Sequence, residues 1–239
     1  MSESNERRML KTYCIVLASG TGTRFGGDLP KQFVQVGGRM IVEHTLVAVA
    51  RAPAVDEIVM VVSAPWRDAV ERAVAQSHVG KPVRIVLGGT TRLASCRKGV
   101  ESIADDDAKV LVHNGVQPFV TAADLDKCVA ALDEYEAVTV GSASVYTVLE
   151  LDEKRELRRI ADRRFTANDL GPECFRIRLL RKVLDLAVDD ETSTNLTGLV
   201  LRSGLGKVFV VDGDPANVKI TYPDDFMLAR ARIGTGEGR

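Results

Sequence analysis

The sequence predicts an α/β fold, a mainly parallel sheet sandwiched by helices. Apolar, β-rich runs alternate with helix-like stretches over the first 130 residues. Those runs are continuously apolar rather than alternating, as strands covered on both faces must be. Length adds a bound: 239 residues can form one large or two small domains with a sizeable core. No repeat and no low-complexity linker divides the chain, so one domain over 1–239 is the economical reading.

The elements follow in order. YCIVLA (13–18) reads as the first buried strand, followed by a glycine-rich loop and an amphipathic helix over 41–50. EIVMVV (57–62) is the second strand, leading to a helix over 66–76. VRIVL (83–87) precedes a second glycine loop and a helix over about 93–103, and KVLVH (109–113) precedes one over about 122–132. The pattern then breaks. Residues 137–151 and 156–164 read as two strands around the charged turn Asp152-Glu153-Lys154-Arg155. So much charge favours an arm projecting from the core, over about 137–164, with the core spanning about 12–136 and 165–232. Helices over 177–187 and 193–203, apolar runs over 207–213 and 217–221, and a helix started by Pro223 complete the chain, with 233–239 as a frayed tail.

Composition narrows the function. Thirty-two Lys and Arg against 33 Asp and Glu leave a net charge of −1, so no sequence-independent nucleic-acid partner is expected. No apolar run approaches the ~18 residues that span a bilayer, and MSESNERRMLK lacks a signal-peptide core, so neither a membrane nor secretion is expected. Cys14, Cys96, Cys128 and Cys174 form no CxxC pair, and His44, His78 and His113 are scattered. Free thiols in a reducing, cytoplasmic compartment are the reading, without structural zinc.

The most informative segment runs from Leu17 through Ser19, Gly20, Gly22, Arg24, Phe25 and Gly27 to Pro30, Lys31 and Gln32, directly after the first strand. Glycines there let the backbone approach a ligand and turn amide donors toward phosphate oxygens. Arg24 and Lys31 add the cations that a triphosphate needs. The dinucleotide fingerprint GxGxxG fails at Phe25. A P-loop started at Gly22 reaches Gly27 but puts Asp28 in the lysine position. What remains is GxGxR followed by a Pro-Lys pair.

That pattern resembles the signature of the sugar-phosphate nucleotidyltransferases, and its PKQF ending points to the cytidylyltransferase branch acting on polyol phosphates such as methylerythritol and ribitol phosphates. The resemblance implies a Rossmann-like, GT-A-like nucleotidyltransferase fold. GGTTRLAS (88–95) is similar to the family's GGxxRxxS loop, which holds the cytidine. VHNGVQPF (112–119) is similar to VHDxxRPF, with Asn114 and Gln117 in place of an aspartate thought to bind Mg²⁺ and an arginine that meets the acceptor phosphate. GPECF (171–175) stands where the family has TPQxF, Asp189–Ser193 where it has an acidic TDD-like site, and GDPANVKITYPDDF (213–226) is close to GDxxNIKITxPxDL.

The resemblance implies CMP transfer from CTP, carried with Mg²⁺, to a polyol phosphate, releasing pyrophosphate. Arg24, Lys31 and Lys219 are then the catalytic residues. Ala18, Ser19, Gly20, Gly22, Gly88, Gly89, Arg92, Ser95 and Asn114 bind nucleotide; Thr147, Arg163 and Gln117 bind the acceptor; Asn114 and Asp214 are metal candidates. Family members pair through the arm, which implies a homodimer with Thr147 and Arg163 reaching a second subunit. The alternative is a catalytically silent relative that binds nucleotide or a partner protein. Asn114 and Gln117 favour that alternative; the retained cations oppose it.

Overall fold

A computed structural model of the protein describes residues 10–20, 29–187 and 195–234. The central strand β1 (Thr12–Ala18) is almost wholly buried. It lies between two more apolar strands, β4 (Glu57–Val62) and β6 (Lys109–Asn114), both in parallel register. β2 (Gln35–Val36) and β3 (Arg39–Met40) form a small separate ribbon. β5 (Val83–Leu87) closes one edge beside β4. The helices α1 (Ile41–Ala50), α2 (Arg67–Ser77), α3 (Arg92–Glu101) and α4 (Ala122–Ala131) cover both faces. Each fully buried Val, Leu or Ile contributes about 1.5–3 kcal/mol, so runs such as Ile58–Val62, buried throughout, are the main reason these segments stay in the sheet.

Beyond β6 the chain departs from the expected arm. β7 (Ala137–Ala143) is a buried strand of the main sheet rather than part of a projection. Its apolar residues Ala137, Val138 and Val140 are inside, which decides its place. Only β8 (Leu149–Leu151) and β9 (Leu157–Ile160) project, as an antiparallel hairpin with every residue but one in 149–160 exposed. A ten-residue strand, β10 (Ala167–Arg176), then returns antiparallel between β6 and β7. It was not expected. The chain bulges at Gly171-Pro172, with a register shift between Asp169 and Glu173 and a cis Gly171–Pro172 bond.

After α5 (Ile177–Leu186) and α6 (Leu196–Ser203), β11 (Val208–Asp212) pairs parallel with β7, giving the order β11-β7-β10-β6-β1-β4-β5. The run over 217–221 is not a strand of the sheet. It is extended, and Ile220 N–H bonds Val116 O at 2.9 Å. α7 (Pro223–Gly234) starts at its proline and extends into the expected tail, because Ala229 packs with Val36, Ile41, Val116, Phe119 and Ile220. The four cysteines are free and buried. No described helix is long and apolar enough to cross a membrane.

β1 connects onward to β4 on one side, while the connection from β5 crosses to β6 on the other. Such a reversal opens a crevice at the carboxyl ends of the strands. Ser19 and Gly20 after β1, the Gly88–Gly89 turn after β5 and Asn114 at the end of β6 all meet there.

Candidate active site

Three turns and one extended segment build the site. The first turn follows β1. Gln32, only 3% exposed, donates its side-chain amide to Ala18 O at 3.0 Å and Gly20 O at 2.5 Å. Lys31–Phe33 is a 3-10 turn anchored by Phe33, which is buried and stacked on Trp66 at 4.4 Å. The apolar anchor and the amide clamp together hold Lys31 on the wall of the same cavity as Ser19 and Gly20. Gly22 and Arg24, and the acidic run 189–193, lie outside the described residues.

The second turn follows β5. Gly88 N–H bonds Val62 O, and a Cβ on Gly88 would meet Ser19 Cβ at 2.6 Å. One on Gly89 would meet Ala94 Cβ at 2.5 Å. Glycine is required at both by close approach. Thr91, not Ser95, caps α3, accepting from Ala94 N–H at 3.0 Å. The Ser95 hydroxyl accepts from Ser19 Oγ at 2.8 Å and Gly89 N–H at 3.1 Å and donates to Thr91 O at 2.9 Å. Its capacity is thus spent holding the loop, a shaping role in place of the expected ligand contact. The α3 amino end, with its positive dipole, borders the crevice at Thr91 and Arg92.

The third turn follows β6. Asn114 Nδ2 donates to Gln117 Oε1 at 2.6 Å, and Gln117 Nε2 donates to Leu170 O at 2.8 Å. His113, fully buried, bonds Gln117 O through Nε2 at 3.0 Å; burial pushes its imidazole pKa down to about 4, so the ring is neutral. Opposite, the 217–221 segment carries Lys219, and Asn217 donates to Leu170 O at 3.1 Å and Gly171 O at 3.2 Å.

Two adjoining cavities result. One, of about 330 Å³, is lined by Leu17–Gly20, Lys31, Gln32, Gly89–Arg92, Ser95, Asn114, Val116 and Lys219. Among the described residues its lining holds the cations Lys31, Arg92 and Lys219 and no carboxylate. The other, of about 380 Å³, shares Arg92, Asn114 and Lys219 with the first. Its remaining polar wall is Gln117, Asn195, Asn217, Asp169, Glu173 and Asp225. The carboxylates there are already supplied with donors. Asp169 accepts from Thr139 Oγ1, Gly171 N–H and Asn195 Nδ2, and Asp225 from the Thr221 and Tyr222 amides. Glu173 accepts from Arg92 and Thr197 N–H.

Of the expected site residues, Ala18, Ser19, Gly20, Lys31, Gly89, Arg92, Ser95, Asn114 and Lys219 converge on the first cavity, with Gly88 directly behind it. Gln117 lines the second, with its Oε1 accepting from Asn114 and one N–H of its amide donating to Leu170 O. Thr147 and Arg163 are exposed beside the hairpin and line neither cavity. Asp214 also lines neither: its carboxylate accepts Ala216 N–H at 2.8 Å, closing its own turn. Among the described residues no three His, Cys, Asp or Glu side chains gather as a metal site. Gln32, Asp169, Glu173 and Asn217 were not foreseen. Gln32 could have been, since it follows Lys31 directly.

Comparison with known proteins adds a family. Residues 12–235 match the 2-C-methyl-D-erythritol 4-phosphate cytidylyltransferase family. A protein of that name from Syntrophus aciditrophicus is 34% identical over 236 residues, covering 96% of this chain and 98% of its own. One from Thermobifida fusca is 32% identical, covering 92% of each. A bifunctional ribulose 5-phosphate reductase/CDP-ribitol pyrophosphorylase from Haemophilus influenzae is 28% identical over 92% of this chain and 47% of its own. Among solved structures, a 4-diphosphocytidyl-2C-methyl-D-erythritol synthase from Anaerococcus prevotii superposes with a TM-score of 0.82 at 28% identity, covering 94% of this chain and 99% of its own.

Proposed function

The chain belongs to the 2-C-methyl-D-erythritol 4-phosphate cytidylyltransferase family, and from that premise we propose that it transfers CMP from CTP to a polyol phosphate. The observation that carries the reading is the pair of cavities. A space whose described lining holds three cations, no carboxylate and a helix amino end suits a triphosphate. The adjoining space, rich in carboxamides and compensated carboxylates, suits the hydroxyls of a neutral polyol.

In this reading a phosphate oxygen of the acceptor attacks the α-phosphorus of CTP. The bond from that phosphorus to the bridging oxygen breaks, and pyrophosphate departs with the electron pair. No protein nucleophile is required, since an ionised phosphate is already the attacking group. The chain's work is positioning and charge stabilisation. Lys219 and Arg92, on the shared wall, face the phosphate groups that meet there. Lys31, on the wall of the first cavity, offsets charge on the departing pyrophosphate, assisted by Arg24. Gly89 and the amino end of α3 serve the cytidine side.

Magnesium is part of the proposal, and the donor set fits an ion that arrives with the triphosphate. Asn114, with its N–H₂ committed to Gln117, has only a neutral oxygen to offer a hard cation. Bound there, the ion would draw charge from the phosphate oxygens.

The proposal extends to a homodimer. The hairpin and its flanks expose Tyr146, Leu149, Leu151, Leu157, Ile160 and Phe165, an apolar surface that a second copy would cover, taking Thr147 and Arg163 to that copy's acceptor cavity. The silent-relative alternative finds no support in the family matches.

A ³¹P-NMR screen of CTP, magnesium and a panel of polyol phosphates tests the reading. Pyrophosphate and a CDP-linked polyol are expected with at least one acceptor, and with CTP in preference to ATP, GTP or UTP. No product from any acceptor would overturn it.

A further inference from the structure

We propose that Glu173 is a positioning residue for transfer: its buried carboxylate fixes the Arg92 guanidinium on the wall the two cavities share. The inference rests on the functional reading above and adds a residue to it. Glu173 sits on β10 just past the bulge and is 4% exposed. Its Oε2 accepts Arg92 Nη2 at 2.9 Å, and its Oε1 accepts Thr197 N–H at 2.9 Å, in the first turn of α6. The carboxylate is thus gripped at both ends, and Arg92 is aimed by a group that cannot itself swing.

The arrangement matters because of what Arg92 borders. It is the first residue of α3, on the nucleotide side, yet it lines both cavities. Only one of its five N–H donors has a partner among the described residues, the bond to Glu173. Its side chain borders both cavities, where the acceptor phosphate and α-phosphate meet in the proposed reaction. A guanidinium presents a planar fork to phosphate oxygens, and its value depends on its angle. An untethered arginine on a helix end samples many rotamers; the tether to Glu173 removes that freedom before substrate arrives. Glu173 also offsets one positive charge, so Arg92 contributes directed hydrogen bonds more than net attraction.

Glutamine at this position keeps the volume of Glu173 but not its chemistry. Its single oxygen can accept from Thr197 N–H or from Arg92, and its N–H₂ group then opposes the other donor. Whichever way it turns, one grip is lost.

A double-mutant cycle with Glu173→Gln and Arg92→Met tests the idea, reading kcat and KM for the acceptor under saturating CTP. Arg92→Met should lower kcat/KM roughly a hundred- to a thousandfold, as loss of a phosphate-facing donor does. Glu173→Gln should lower it about a hundredfold, chiefly in kcat, as misplacement of a reacting-site group by ~1 Å does. In the Arg92→Met background, Glu173→Gln should change kcat/KM by less than about twofold, since it then has nothing to position. Independent, multiplying effects in the two backgrounds would overturn the proposal. So would near-normal kcat in a folded Glu173→Gln protein. If Glu173→Gln does not fold, Glu173→Asp enters the same cycle: it keeps the charge but draws it back by one methylene, and the same non-additivity is expected. A wild-type protein that transfers nothing overturns the functional reading and this inference together, whereas additive losses in an active enzyme overturn the inference alone.

Discussion

Replacing Asn114 by aspartate is expected to weaken the protein even though it supplies the charge that a magnesium position would favour. The reason lies in the chain of amides behind it. Asn114 Nδ2 donates to Gln117 Oε1 at 2.6 Å, and Gln117, 3% exposed, donates onward to Leu170 O at 2.8 Å. A carboxylate at 114 has no donor, so it would confront Gln117 Oε1 oxygen to oxygen. Turning the Gln117 amide over answers the carboxylate but sets Oε1 against Leu170 O. One buried acceptor is therefore left unpaired in either state, which costs about 1–3 kcal/mol. For a chain of this length each kcal/mol moves Tm by about 2–4 °C, so Asn114→Asp should melt roughly 3–10 °C below wild type at pH 7. The introduced acid can donate to Gln117 Oε1 only when protonated, so its folded-state pKa lies above its unfolded one. The deficit is then full above the folded pKa and shrinks as pH falls through it. Arginine at 117 has donors only and can serve both the introduced carboxylate and Leu170 O, so adding Gln117→Arg should recover most of the loss and lower the magnesium concentration needed for turnover. Thermal melts of the two variants across pH decide it. An unchanged Tm for Asn114→Asp at pH 7, or a double variant no better than the single, would refute the matched-pair argument.

Lys31→Ala should cut turnover roughly a hundred- to a thousandfold in a protein that still folds, as removal of one phosphate-stabilising donor does; near-normal turnover would return Lys31 to a surface role. His113, held neutral by burial with its pKa near 4 against 6.5 ordinarily, leaves the unfolded chain to take up a proton first as pH falls. Stability should drop by about 3 kcal/mol between pH 6.5 and 4, and His113→Gln should flatten that slope in pH-dependent melts; an unaltered slope would show that other groups carry it. An acceptor whose terminal hydroxymethyl is oxidised to a carboxylate would meet Asp169, Glu173 and Asp225, and should lose at least roughly tenfold in kcat/KM against the parent polyol phosphate; equal rates would remove the acidic wall from acceptor recognition.

The nucleotide half was legible because its chemistry is local. A strand, a glycine turn and a helix start are each read from a few neighbouring residues, and β1, β5, β6 and α3 stand within a residue or two of where periodicity put them. Gly88 and Gly89 are tied by close contacts to Ser19 and Ala94, and sequence shows glycine where such crowding occurs. The second half resisted for a physical reason. β10 pairs antiparallel with strands distant in the chain, from Ala143 opposite Ala167 back to Lys109 opposite Arg176, and its bulge at Gly171-Pro172 carries the residues that mark a loop. β7 was assigned to the arm because 137–151 reads as one β-rich run, yet the chain leaves the sheet at Ala143. Nothing in the local pattern distinguishes those two halves of one run.

The acceptor cavity adds a harder problem, because a carboxamide's role is fixed by its partners and not by its type. Gln117, Asn195 and Asn217 all line the cavity, and each donates its amide N–H₂ inward, to Leu170 O, to Asp169, or to Leu170 O and Gly171 O. Position 117 therefore cannot be judged as an arginine lost. With Asn114 beside it, glutamine completes a neutral network that binds Leu170 O, and in the proposed reaction Lys219 supplies the charge and Arg92 the directed hydrogen bonds that meet phosphate. Those two cations are the ones common to both cavities. In the proposed reaction, a neutral far wall leaves recognition of the acceptor phosphate beside the α-phosphate, so the same pair would bind the acceptor and orient it for attack. On that reading, Asn114 and Gln117 shape the acceptor cavity and leave the transfer step to residues on the shared wall.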